Sequence, residues 1–122
     1  MQTTNEGEKM HKINFEFWKL TSAGLEPKVK ATKYGAPNHE QVELCKQWLQ
    51  LFRFKKSASY NDLSSYYYKH RVENHFGTYI ANGAFIQAAL ELGCPVKHVN
   101  NCLNVLVGIS MKDFKKYSGD RF

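Results

Sequence analysis

Three stretches of the chain repeat apolar residues at helical spacing. Val42, Cys45, Trp48, Leu49 and Phe52 form one stripe, with Glu43, Lys46, Gln47, Gln50 and Arg53 left facing outward. Asn38, followed three residues later by Gln41, predicts a capped start for this helix. Arg53, Lys55 and Lys56 suit the negative end of its dipole. A second helix is expected to begin within 62–65 and run to Phe76, with Tyr68, Val72 and Phe76 on one face and Gly77 as its stop. A third covers 82–92, with Phe85, Ile86, Ala89 and Leu90 as its core stripe and Gly93 as a left-handed terminator.

Elsewhere the period shortens or divides. Residues 13–17 alternate as a strand does, and 28–32 could pair with them across a segment broken by Gly24, Pro27, Gly35 and Pro37. After Gly93, Pro95 suits a first helical turn, and Val96, Val99, Cys102 and Leu103 continue at helical spacing. Against that, 105–107 is apolar and β-branched enough for a strand. Residues 114–122 read as a basic tail anchored by Phe114 and Tyr117. The fold expected is mostly α: a disordered tail over 1–9, then one small helical domain over 10–122 with a helix-turn-helix-like corner and a short N-terminal β element.

Composition narrows the function classes. A chain of 122 residues fits one domain with a core of its own. No apolar run approaches the ~18–20 residues of a membrane span, and the first twelve residues lack a secretory pattern. The cysteines are Cys45, Cys94 and Cys102. An odd number without close pairing reads as reduced thiols in the cytoplasm. The formal net charge of +6 favours polyanionic partners.

Several constellations carry candidate chemistry. Ala89, Gly93, Val99 and Cys102 stand where a helix-turn-helix needs its small residue, its turn and its two apolar seats. Lys97, His98, Asn100 and Asn101 would then face the major groove. A plain corner between two core helices gives nearly the same pattern. Residues 66–71 interleave three tyrosines with Lys69, His70 and Arg71, the makings of a stacking platform for single strands or of a core-facing helix. Cys94, His98 and Cys102 at i, i+4 and i+8 could present three soft ligands on one helical face, with His39 or Cys45 as a fourth. No Cys-x-x-Cys knuckle accompanies them, and no metal is expected. His70 and Glu73 can touch at i, i+3, but no nucleophile motif stands beside them, so a structural pair is expected and no catalytic residue.

Ser65-Tyr66, Lys69-His70, Glu73, Tyr79-Ile80-Ala81-Asn82-Gly83-Ala84-Phe85-Ile86, Ala88-Ala89 and Gly93, with Asn101-Cys102-Leu103-Asn104 and Ile109-Ser110 beyond, resemble a family of small accessory proteins of phages and plasmids. The Tyr-x-x-Asn-Gly-x-Phe-Ile core is the specific part. The family pattern has an aromatic where Cys94 stands and Ser-Pro where Cys102-Leu103 stand; a proline there would disfavour a long recognition helix. The resemblance implies a mobile-element setting and no particular activity. On their own chemistry, Asn82 and Gly83 suit a helix start that something approaches closely. Lys69 and His70 facing Glu73 and Asn82 would form a buried clasp, and a small anion could sit at that helix end.

The expected function is nucleic-acid binding by a repressor-like accessory protein. Arg53, Lys55, Lys56, Lys69 and Arg71 would neutralise phosphates, with base contacts from Lys97, His98, Asn100 and Asn101. His70, Glu73, Asn82 and Gly83 would be the structural clasp. The alternative is an anti-CRISPR-type inhibitor bound to a host nuclease complex, and a third reading is a small enzyme using His70 and Glu73. Partners are nucleic acid or a nucleoprotein complex, with a homodimer allowed, no membrane and no cofactor.

Overall fold

A computed structural model describes residues 13–99 and 101–118. The tail expected over 1–9 lies outside these residues, and so does Asn100. Among the described residues, the order of elements is β1 (Trp18–Thr21), β2 (Gly24–Pro27), α1 (His39–Leu49), α2 (Ser65–Phe76), α3 (Asn82–Leu92), β3 (Val96–His98), β4 (Val105–Val107) and α4 (Met111–Ser118). The strands form two antiparallel pairs, β1 with β2 and β3 with β4. The domain is therefore a small mixed α/β unit, which corrects the mostly α expectation. None of its helices is long and apolar enough to cross a membrane.

Local chemistry explains the helix ends. The Asn38 side chain accepts from the Gln41 N–H to open α1, and Ser64 Oγ accepts from the Tyr67 N–H to open α2. Gly77, at φ 70°, closes α2. Gly93, at φ 75°, closes α3. There the Cys94 N–H bonds back to the Ala89 carbonyl and the Gly93 N–H to that of Leu90, so two carbonyls of the last turn of α3 are satisfied and the helix stops.

This termination is why the helix-turn-helix reading fails. The same Gly that would mark its turn instead releases the chain into a strand. Val96 pairs with Val107, Lys97 with Leu106 and His98 with Val105. Buried Val96, Val105 and Val107 favour this pleated arrangement over a second helix. Asn101, at φ 62°, lies in the loop between these strands. The first hairpin also departs from expectation. Its strands flank a two-residue turn at Ser22 and Ala23, with Leu20 opposite Leu25, rather than lying at 13–17 and 28–32.

Helix α3 lies at the centre of the core. Its small residues Gly83, Ala84, Ala88 and Ala89 are all buried, and it packs against α1, α2 and the first hairpin. Trp48 of α1 anchors an aromatic cluster with Phe52, Tyr68, Phe85 and Phe114. Phe114 belongs to α4, where the sequence suggested a basic tail; Ser110 Oγ accepts from the Asp113 N–H at its start.

The closest approach is at Gly83. Its N–H donates to the Ser22 carbonyl at 2.9 Å, and a Cβ at this position would overlap the Thr21 carbonyl. Gly83→Ala should lower the free energy of unfolding by about 1–3 kcal/mol in denaturant titration. Gly35→Ala, with open space around its position, should leave it within about 0.5 kcal/mol of the parent.

Candidate functional site

Lys69 lies on α2 and turns inward; it is only 5% exposed. Its ammonium donates to Glu73 Oε2 at 3.0 Å, one helical turn on. The Tyr79 and Tyr66 rings flank it, with centroids at 4.7 and 5.4 Å. Glu73 Oε2 also accepts from the Ile80 N–H at 3.0 Å, and Oε1 meets His70 Nδ1 at 2.8 Å. Partial burial pushes the Glu73 carboxyl up, but donation from Ile80, Lys69 and His70 outweighs this and holds it below its ordinary value. This carboxylate therefore joins α2 to the segment leading into α3.

Asn82, the first residue of α3, joins two further segments. Its Nδ2 donates to the Ala23 carbonyl at 3.1 Å, the Leu103 carbonyl at 3.3 Å and Asn104 Oδ1 at 3.0 Å. The start of α3 has no side-chain cap of its own. Instead Gln41 Oε1, from α1, accepts from the Ala81 N–H at 2.8 Å.

Between these groups lies a cleft of about 380 Å³, lined by Gln41, Lys69, Asn82, Asn104 and three tyrosines, Tyr34, Tyr66 and Tyr79. The tyrosines are 46%, 51% and 64% exposed, whereas Lys69 and Asn82 are buried. Among the described residues no carboxylate lines the cleft.

The other residues expected to bind nucleic acid are placed differently. Arg53 makes a two-pronged ion pair with Asp113, at 2.8 and 3.0 Å, and its backbone N–H donates to the same carboxylate. The Arg53 guanidinium and N–H together hold the Asp113 carboxyl well below the usual range. Lys55 bonds buried Asp62 at 2.8 Å. Arg71 lies against the Phe114 ring, and Lys97 over the Tyr60 ring. His98 Nε2 donates to the Cys102 carbonyl at 2.8 Å, with its ring edge-on to Trp18. Lys56 and Asn101 are exposed. Because 96–98 is a strand, Lys97, His98 and Asn101 lie on no recognition helix, and Cys94, His98 and Cys102 share no helical face. Among the described residues no group of three or more His, Cys, Asp or Glu could hold a metal.

The clasp residues divide into two neighbouring knots. His70 and Glu73 meet Lys69 and Ile80, whereas Asn82 and Gly83 meet the hairpin turn. Gln41, Asn104 and Tyr34 had no expected role at a site. Gln41 was read only as a cap residue, and the Asn104 position depends on a loop that a helical reading removes. Tyr79 stood in the Tyr-x-x-Asn-Gly pattern, which was the available signal.

No protein-family model matches this chain, and no curated protein or solved structure matches it.

Burial pushes the Cys45 and Cys94 thiols up to about 12, so a disulfide reagent at neutral pH should titrate Cys102 in the native protein and all three thiols only after unfolding. The depressed carboxyls Glu73 and Asp113 stabilise the fold above the ordinary carboxylate range, and that contribution is lost as pH falls through their lowered values. The thermal midpoint should be flat down to about pH 5 and fall below about pH 4, less steeply in Glu73→Gln.

Proposed function

We propose that this chain is a nucleic-acid-binding accessory protein of a mobile element, acting in the cytoplasm, and that it grips unpaired strands at the cleft. The observation that carries the reading is the group of three exposed tyrosines lining the cleft with buried Lys69, two of them, Tyr66 and Tyr79, flanking its ammonium. Bases stack on such rings whatever their sequence, at about 1–3 kcal/mol per base, and a cation among them draws in the phosphates. The net charge of +6 adds long-range attraction. Lys69 is held in place by Glu73, so little side-chain freedom is lost on binding. Single strands are favoured over duplex because Lys97 and His98 lie on β3 rather than on a recognition helix. Binding rather than catalysis is assigned to the clasp, since Glu73 also holds Lys69 and the Ile80 N–H and so serves as an anchor between α2 and the segment leading into α3.

Fluorescence anisotropy with labelled single-stranded DNA, single-stranded RNA and duplex DNA tests this across about 50–200 mM salt. Single strands should bind more tightly than duplex, with affinity falling as salt rises. Tyr66→Ala and Tyr79→Ala should each weaken binding by about 5- to 150-fold. Equal or tighter duplex binding, or no oligonucleotide binding at about 50 mM salt, would overturn the proposal; the second outcome is what a protein-directed inhibitor gives.

A further inference from the structure

We infer that the cleft takes a phosphorylated nucleotide unit, with its phosphate held by Lys69, Gln41 and Asn104 beneath the tyrosine rim. This rests on the single-strand reading above and adds the chemical group that the buried end of the cleft selects.

Asn82 Nδ2 engages the acceptors near it: the Ala23 and Leu103 carbonyls and Asn104 Oδ1. The Leu103 carbonyl also accepts from the Leu25 N–H. With its oxygen turned towards Asn82, Asn104 has its amino group left to offer as a donor. Gln41 is fixed in the same sense, because its oxygen accepts from the Ala81 N–H. These bonds settle which way both carboxamides face. Lys69 uses one of its three N–H groups on Glu73. Half-buried Gln41 and Asn104 and buried Lys69 therefore offer N–H donors to the cleft, the Lys69 ammonium already paired with Glu73, beside the N-terminal end of α3. Asn82 Oδ1 is closed off and takes no hydrogen bond among the described residues. A fold bears the cost of such an orphan, about 1–3 kcal/mol, to keep the opposite face of the carboxamide on its three acceptors.

A ligand suited to these walls is rich in acceptors, negatively charged and attached to a flat ring that can meet Tyr66 or Tyr79. A nucleoside monophosphate unit has all three properties, and about 380 Å³ falls within the size range of small-ligand sites. The unit can be the 5′-phosphorylated end of a strand or a free nucleotide.

Asn104→Asp and Gln41→Glu test the inference. Each keeps the oxygen that the fold uses and replaces the amino donor with a carboxylate oxygen. Both should retain the parent's cooperative unfolding. In the parent, a 5′-phosphorylated oligonucleotide should bind about tenfold or more tightly than its 5′-hydroxyl twin, and uridine monophosphate should bind where uridine does not. Both preferences should vanish in the two variants, while Tyr66-dependent binding of the 5′-hydroxyl strand persists. Equal affinity for phosphorylated and hydroxyl ligands in the parent, or a phosphate preference that survives both substitutions, would overturn the phosphate assignment and leave the single-strand reading intact. Binding of uridine monophosphate without any oligonucleotide would support the phosphate assignment and overturn the single-strand reading.

Discussion

Everything around the cleft depends on one close approach, that of the first turn of α3 to the turn of the first hairpin. Gly83 has no side chain, so its N–H can reach the Ser22 carbonyl. Asn82, beside it, spends its amino group on the hairpin, on the Leu103 carbonyl and on Asn104. One dipeptide thus sets the positions of three segments that are far apart in sequence. Gly24 completes the junction. It lies at φ 131°, and a Cβ there would meet the Leu103 carbonyl and the Asn82 amide. The cleft is the space left between those segments and α2.

The charges divide between architecture and recognition. Arg53 joins α4 to the end of α1 through Asp113, Lys46 bridges α1 to α3 through Glu91, and Lys55 secures the 59–62 turn through Asp62. The exposed pair of Lys46 with Glu91 contributes little, but together these pairs show that net charge alone does not mark a binding face. Lys69 differs. It is buried and neutralised by Glu73, yet it still borders open space. The aromatic cluster around Trp48 supports the opposite side of the core. There Tyr117 accepts from the Trp48 indole and its hydroxyl hydrogen-bonds His75 Nδ1, tying α4 to α1 and α2.

The sequence revealed what depends on local rules. The three long helices fall where periodicity and caps place them: Asn38, Ser64, Gly77 and Gly93 act through contacts within a few residues. It misled where a local signal fits two outcomes. Gly93 ends a helix equally well before a second helix or before a strand; the pairing of Val96 with Val107, eleven residues apart, decides between them. The strands of the first hairpin were misplaced because their register depends on the tight turn at Ser22 and Ala23 and on docking against α3. Of the candidate site, Lys69, Glu73 and Asn82 were legible as polar residues at the start or on the face of helices. Gln41, Tyr34 and Asn104 were not, because their meeting depends on the first turn of α1 and two loops converging at the start of α3.

The most direct measurement is a titration followed by proton–nitrogen correlation spectra, reading the side-chain amide signals of Gln41, Asn82 and Asn104 as uridine monophosphate or a 5′-phosphorylated single strand is added. Ligand at the cleft should shift the Gln41 and Asn104 amino signals together with the backbone signals of 81–83, and should leave α4 undisturbed. Shifts centred on α4 or on the 53–56 cations, with the three carboxamides unchanged, would contradict the placement of the binding site at the start of α3.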